Sequence, residues 1–444
     1  MTSTLLVLRQ RLQSAIGDGV REAVTTALTT STALTSTNLN KWDGTANDKF
    51  NDWFAYVEDY DNAGASRVIA DYVTSGGVCT VRKAWGYADG AAEYATVMFT
   101  HLNPDNYLRG IQNAVRKLDG ILHKNLDDTT LISGNILPNA HFDDQATSGT
   151  PDFCSFSATA SGTETTTAGL IRGGKKSIKV AVTAADKYMY FDSNTYPRLL
   201  DLMGQTVTFK CWAYPSTAND AFLDIITTVA AGTTTTQSST TTCPANNFTL
   251  LKIEDYAVPD DIVRIQFCFR VHTSGQNAYF DNSRVTGLDI HEYLLPTDFQ
   301  TGVLKKVYIQ TSGYADDPCD DLHINTQEFI YNCLPPIDVD INGTLYKFLR
   351  LPSSYSSKYK LRLIGYKALE SLTDDGDTLS VNNPQLELVI AESALELYRI
   401  QQGLVSASDR SAYKNEIAFW EHGVAKLESI YRTSTPAGTI KFRE

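Results

Sequence analysis

The sequence predicts an α+β protein of several domains: a host built from a helical bundle and a small antiparallel sheet or barrel, with an antiparallel β-sandwich inserted into it. Three observations carry this reading. Apolar residues recur at three- and four-residue spacing near both ends of the chain. They alternate at period two from Arg21 to Phe99 and again across residues 135–287. Strand-like and helix-like segments then resume with apolar faces that the insert does not cover. At 444 residues the chain also exceeds the size at which a single core keeps growing. These shifts place a discontinuous host over residues 1–132 and 289–444, with its β part at 21–100, and a guest over 133–288.

The first helix follows from Leu5, Leu8, Leu12 and Ala15 or Ile16, ended by Gly17, and its one-sided stripe requires a partner helix. Between Arg21 and Phe99 the runs 23–28, 53–57, 66–73, 78–81 and 93–97 alternate as strands. Asp61-Asn62-Ala63-Gly64 and Ser75-Gly76-Gly77 supply turn residues that tolerate positive φ. A second helix opens at Asn103-Pro104-Asp105, where Asn103 caps and Pro104 suits the first turn, and its face runs Tyr107, Leu108, Ile111, Val115, Leu118.

The guest opens with Asn135-Ile136-Leu137-Pro138-Asn139 and Phe142 and closes with Tyr279-Phe280-Asp281-Asn282-Ser283-Arg284-Val285. Within it Ile178 and Val180, then Val207, Phe209 and Cys211, then Ile265, Phe267 and Phe269 alternate with polar residues, as strands with one buried face do. Strands return at residues 302–309 and 359–366. Two long helices close the chain. One runs from about Pro384 to Gly403 with Leu388, Ala391, Leu395 and Tyr398 on one side; the other carries Tyr413, Ile417, Trp420, Val424, Leu427 and Tyr431. This seam is most simply satisfied by the first two helices. Each large side chain buried there contributes roughly 1.5 to 3 kcal/mol, making the seam the main expected source of host stability.

Composition narrows the function classes. Hydrophobic content of 42% and charged content of 20% describe a folded chain with ample core material. A net charge of -13 argues against a nucleic-acid-binding surface, which needs grouped Lys and Arg to displace phosphate counterions. No apolar run approaches bilayer-spanning length and the first residues lack a basic start, so the expectation is cytoplasmic synthesis without export and no membrane partner. Seven cysteines, odd in number and without a C-x-x-C pair, read as reduced and mostly buried thiols.

Two resemblances follow. The order of helix, small sheet with Trp53-Phe54-Ala55-Tyr56-Val57, helix with Tyr107-Leu108-Arg109-Gly110-Ile111, strands with Tyr293-Leu294-Leu295-Pro296 and Leu361-Arg362-Leu363-Ile364-Gly365, acidic turn Asp374-Asp375-Gly376-Asp377 and paired terminal helices resembles the head-to-tail (neck) adaptor or connector proteins of tailed bacteriophages. It covers most of residues 1–130 and 290–444. It implies a non-enzymatic virion protein, assembled in the host cytoplasm and placed in the neck or tail. Its partners would be further copies in a ring, twelve-fold by this resemblance, the portal protein, and tail and neck proteins, with DNA passing the channel without specific binding. The assembly helices would carry Leu5, Leu8, Leu12, Leu395, Tyr398, Ile417, Trp420, Val424 and Leu427.

The guest resembles the jelly-roll carbohydrate-binding modules found beside glycoside hydrolases, through its opening, Gly174-Lys175-Lys176-Ser177-Ile178-Lys179-Val180, residues 204–214 and the closing Ala278-Tyr279-Phe280-Asp281-Asn282. This implies a jelly roll and, as alternative function, a tail or collar protein binding cell-surface polysaccharide. Pyranose rings present apolar C–H faces that stack on exposed aromatics, so Tyr188, Tyr190, Tyr196, Trp212 and Tyr214 are the candidate contacts. The competing reading of each is core or inter-domain packing, and for Trp212 and for the Tyr188 and Tyr190 pair that reading carries the greater weight. The family also implies a structural calcium, for which Asp281 is the candidate ligand; a carboxylate satisfying backbone amides is the weightier alternative.

Other constellations are weaker. Asp316-Asp317-Pro318-Cys319-Asp320-Asp321 and Asp374-Asp375-Gly376-Asp377 crowd carboxylates but lack the alternating ligands and distal Glu of an EF-hand loop, so both read as solvated turns. His141, His272, His291 and His323 show no zinc spacing, and Walker-type loops and Gly-x-Ser-x-Gly are absent. Glu254 and Asp255 with Asp260 and Asp261 can be read as a glycosidase pair, but a sandwich of this size lacking a deep cleft rarely carries one. The Thr runs at 233–236 and 240–242 read as an exposed loop or hairpin.

Overall fold

The computed structural model describes residues 3–310, 327–329, 334–351, 359–381, 383–405 and 410–431. The chain forms two compact units, Met1–Lys124 with Ala368–Glu444, and Asn125–Lys367.

The first unit begins with β1 (Ser3–Thr4) and α1 (Leu5–Ile16). Thr4 caps the helix through its hydroxyl, and Gly17 at φ 66° ends it in the left-handed conformation that glycine adopts without strain. Six strands follow: β2 (Val20–Ala23), β3 (Ala33–Thr35), β4 (Phe54–Val57), β5 (Ser66–Val73), β6 (Val78–Val81) and β7 (Thr96–Thr100). They form one sheet in the order β2-β7-β4-β5-β6-β3. A bulge between Ile69 and Asp71 bends β5, so its first half pairs with β4 and its second with β6. The two edges meet where Thr25 N–H donates to the carbonyl of Thr35 at 2.8 Å, curling the sheet toward a barrel. Its core holds Phe50, Tyr72 and Phe99, with Phe50 edge-on to Tyr72 at 4.9 Å. The strand expected at 23–28 ends at Ala23, because Val24 and Thr25 turn their amides to Ala95 and Thr35. Helix α2 (Pro104–Lys117) is capped by Asn103, which accepts from Asp105 N–H, with Pro104 in the first turn.

The second unit opens with β8 (Lys124–Asp128), which straddles the boundary, and continues through ten strands: β9 (Cys154–Phe156), β10 (Ala160–Thr165), β11 (Ser177–Val182), β12 (Lys187–Asp192), β13 (Thr206–Pro215), β14 (Ala221–Val229), β15 (Thr234–Ser238), β16 (Thr249–Ala257), β17 (Ile262–Val271) and β18 (Asn277–Thr286). They make two five-stranded sheets, β10-β11-β18-β13-β16 and β15-β14-β17-β12-β9, with every pair antiparallel. The order β11-β18-β13-β16 opposite β12-β17-β14-β15 is that of a jelly roll: the chain passes back and forth between sheets and its last strands return between its first.

Alternation decides the faces. On β13, Val207, Phe209, Cys211 and Ala213 are buried while Lys210, Trp212 and Tyr214 turn outward. Phe142, Phe191, Phe209, Phe267, Phe269 and Phe280 fill the core without measurable exposure, each worth roughly 1.5 to 3 kcal/mol of transfer free energy. Asn135 ties the opening to the closing strand: its Oδ1 accepts from Leu137 and Val285 N–H, and its Nδ2 donates to the carbonyl of Ser283.

Residues 292–367 add β19 (Glu292–Leu294), α3 (Thr297–Thr301), β20 (Val303–Gln310), β21 (Gln327–Phe329), β22 (Leu334–Ile341), β23 (Thr344–Arg350) and β24 (Leu361–Lys367), in sheets β19-β23-β22 and β21-β20-β24-β8. Tyr293, Leu295, Phe299, Phe348 and Leu363 are buried in the same apolar cluster as the sandwich. Contacts therefore put 289–367 in the sandwich's unit, where the sequence reading put them with the terminal helices. An alternating strand declares one apolar face but not which core that face meets.

The chain returns to the first unit with β25 (Thr378–Leu379), paired to β1, then α4 (Leu386–Leu404) and α5 (Arg410–Tyr431). Leu5, Leu8, Leu12, Leu395 and Val424 are buried in one cluster, with Ile417, Trp420 and Leu427 packed against it, and Tyr398 lies 6.1 Å from Tyr413. The seam of α5 lies on α4, whereas the sequence reading assigned it to the first two helices; α1 and α2 also pack on α4, which is buried on most of its circumference. The acidic turn caps α1: the carbonyls of Asp377 and Asp375 accept from Leu5 and Leu6 N–H, and Asp375 pairs with Arg9 at 3.0 Å. Among the described residues strands outweigh helices.

The five described cysteines are buried and free; Cys319 and Cys333 lie outside the described residues, as do the 316–321 carboxylates and His323. No described helix is long and apolar enough to cross a membrane.

Candidate functional site

The outer face of sheet β15-β14-β17-β12-β9 carries an ordered set of polar and aromatic groups. On β12, Met189 and Phe191 point inward, so Tyr188 and Tyr190 stand half-exposed on the outer side, rings 5.6 Å apart at 65°. Register sets their neighbours: Tyr188 opposite Arg270, Tyr190 between Cys268 and Ser155, and Asp192 opposite Gln266. One strand further, Arg270 faces Phe222 and Cys268 faces Asp224.

Two arginines frame the tyrosines, each held by a buried carboxylate. Arg270 donates through Nε to Asp224 at 2.6 Å and through Nη1 to Asp186 at 2.5 Å, with its guanidinium 4.6 Å over the Phe222 ring. Arg264 donates through Nε to both oxygens of Asp192, at 3.1 and 3.2 Å, and Gln266 Nε2 donates to the same carboxylate at 3.1 Å. Asp192 and Asp224 are buried, so these are low-dielectric, charge-assisted pairs with fixed geometry. The Asp192 hydrogen bond raises the Arg264 pKa; burial lowers that of Arg270, but the Asp224 hydrogen bond and charge outweigh it and leave it raised. The His272 hydrogen bond, at 2.7 Å, together with Arg270 lowers the Asp186 carboxyl. Burial pushes the Cys268 thiol well up. The face offers two aromatic rings beside rigid donors and acceptors, a surface chemistry suited to polyhydroxylated rings.

The five aromatic candidates separate. Tyr188 and Tyr190 share this face. Trp212 and Tyr214 lie on the outer face of the opposite sheet, where the Arg172 guanidinium covers Trp212 at 4.3 Å. Tyr196 is buried, 5.5 Å from Phe153 at the start of a 3-10 turn, so it is no surface contact; it stands four residues past the end of β12, where period two no longer assigns a face. Sequence reasoning missed Arg264, Gln266 and Arg270, although reading Ile265, Phe267 and Phe269 as inward already placed them outward. Nothing in the sequence gave their distant partners Asp192 and Asp224. Thr234–Ser238 forms the exposed edge strand β15, joined to β14 by paired hydroxyls of Thr227 and Thr235 at 2.8 Å.

Asp281 does not fit a calcium ligand. Its Oδ2 accepts from Arg172 and Gly173 N–H at 2.6 and 3.0 Å and its Oδ1 from Asn282 N–H at 2.6 Å, so N–H donors occupy the positions a cation would need. Burial nonetheless pushes its pKa up to about 8. A side chain on Gly173 would collide with the His141 ring at 2.8 Å, so only glycine lets this loop close. Asp143 is likewise occupied by Lys175 and Lys176 N–H and, through burial, raised to about 7. Among the described residues no group of three or more His, Cys, Asp or Glu is placed to hold a metal ion.

No family model and no curated protein matches the chain. Among solved structures, the C-terminal family 22 carbohydrate binding module of Clostridium thermocellum Xyn10B is 17% identical, the match covering 35% of this chain and 95% of that one with a TM-score of 0.29. TmCBM61, solved in complex with beta-1,4-galactotriose, is 10% identical over 35% of this chain and 99% of that one, TM-score 0.26. The enzymatically active domain of bacteriophage CBA120 tailspike protein 4 is 14% identical over 35% of this chain and 22% of that one, TM-score 0.26. The jelly-roll assignment rests on the strand order itself.

Proposed function

We propose that this protein is a non-catalytic glycan-binding structural protein. Its jelly roll holds a cell-surface polysaccharide on the outer face of β15-β14-β17-β12-β9, and its first unit anchors that module in a larger assembly, the virion neck or tail implied by the resemblance of residues 1–130 and 290–444. The observation that carries the reading is the Tyr188–Tyr190 pair framed by Arg264 and Arg270, each fixed by a buried aspartate. Preformed geometry lowers the ordering cost of binding, and the rings supply stacking surface. A non-catalytic role is supported by the engagement of Asp192 and Asp224 with arginines, which suits them to orient hydroxyls.

The test is a polysaccharide array probed with the full chain. Retention of at least one glycan is expected, with Tyr190→Ala weakening it by about tenfold, the scale of one aromatic contact. Absence of retention on every polysaccharide, or binding unchanged in Tyr190→Ala, would refute the proposal. The anchoring half is tested by sedimentation with purified portal protein: a ring-sized complex is expected, and a chain that stays monomeric contradicts it.

A further inference from the structure

The opposite face of the jelly roll carries a second ordered row. Strand register sets Lys179 of β11 beside Tyr279 of β18, and Tyr279 beside Tyr214 of β13. Phe248 continues the row, because it precedes Thr249, the partner of Ala213. The rings of Tyr279 and Tyr214 lie 5.9 Å apart, those of Tyr214 and Phe248 5.2 Å apart, and Lys179 Nζ stands 5.9 Å from the Tyr279 ring. All three rings are half-exposed. With strands about 4.8 Å apart, rings on three neighbouring strands span roughly 10 Å, room for a disaccharide-length stretch running across the strands.

Charge decides what this row would hold. On the same sheet Lys176 is met by Glu164 at 3.1 Å, and Lys252 and Lys210 by Glu254 at 3.0 and 3.9 Å. Lys179 makes no ion pair among the described residues, and its ammonium stands over the Tyr279 ring. An ammonium with no carboxylate partner among the described residues, at the end of an aromatic row, is complementary to an anion. The row offers adjoining aromatic rings, tilted 75° and 60° to one another, as contacts for apolar C–H faces, which favours a sugar chain over an acidic peptide.

We infer that this face is a second polysaccharide-binding surface and that it takes a carboxylate-bearing glycan, with pyranose C–H faces on Tyr279 and Tyr214 and a carboxylate beside Lys179. The inference rests on the glycan-binding reading of the module, but uses none of the residues of the Tyr188–Tyr190 face.

The experiment measures equilibrium binding of the full chain to polygalacturonate, to its carboxyl-reduced product and to polyglutamate, at low and high salt. The wild type is expected to prefer polygalacturonate by about tenfold, with the preference shrinking at high salt. Lys179→Gln removes the preference and Tyr279→Ala weakens binding by about tenfold. Retention of a glycan that depends on Tyr190 shows that each variant is folded. No polygalacturonate binding, binding indifferent to Lys179→Gln and Tyr279→Ala, or equal binding of polyglutamate would overturn the inference. Glycan binding that depends on Tyr190 alone would overturn it while sparing the proposed function. Failure to bind any glycan, charged or neutral, would remove both.

Discussion

At the scale of residues, buried aspartates of the sandwich fix the arginines beside them, and those pairs set both the chemistry of the face and its weak points. Asp224 holds Arg270, whose other partner, Asp186, is half-exposed. Asp224→Ala should cost about 2 to 3 kcal/mol in chemical denaturation, because a mostly buried guanidinium loses its shielded carboxylate. An unchanged denaturation midpoint would show that the pair does not order the face. The buried aspartates beneath loop 171–176 make a second prediction. Burial raises Asp281 to about 8 and Asp143 to about 7, and raises Asp128 and Asp144, while it lowers His141 to about 4. For a carboxyl whose folded pKa lies above its unfolded value, the unfolded chain releases its proton first, so stability falls with rising pH until the folded pKa is passed. His141 acts in the opposite sense, but only below its unfolded pKa near 6.5. Between pH 6.5 and 8 the aspartates act alone, and the melting temperature of the unit should fall. Asp281→Asn should flatten that slope, and a melting temperature that rises across the window contradicts the assignment.

At the scale of elements, what was legible followed from periodicity. The inward rows of β11, β13 and β17 and the cap of α2 stand in the sequence, because each is decided within a few residues. The partner of a face was not legible. The stripe on α5 gave no sign that it meets α4, and the alternation of β20 and β24 gave no sign that their cluster is the sandwich's. The Arg264 and Arg270 pairs were hidden for the same reason, since their carboxylates are 72 and 46 residues away. The packing of α4 carries its own test. Leu395→Ala should destabilise the first unit by about 2 to 5 kcal/mol by opening a cavity between α4 and α5, whereas Phe419→Ser, at an exposed position, should stay within about 0.5 kcal/mol. Equal effects from the two would contradict the packing described.

At the scale of the whole molecule, the boundaries of the second unit matter for any use of it in isolation. A fragment cut at residues 133 and 288 removes Tyr293, whose hydroxyl accepts from Gly134 N–H at 2.9 Å, and strips Leu295, Phe299 and Phe348 from the shared cluster. It should aggregate where a fragment of residues 125–367 stays soluble, as size-exclusion chromatography would show. Equal solubility would mean that the sandwich's core closes without those strands. Glycan recognition by the jelly roll is tested by calorimetric titration of the full chain with a polysaccharide retained on the array. The wild type should bind saturably and the Tyr188→Ala/Tyr190→Ala double variant, with an unchanged melting temperature, should not; undiminished binding by that variant would contradict glycan recognition on this face.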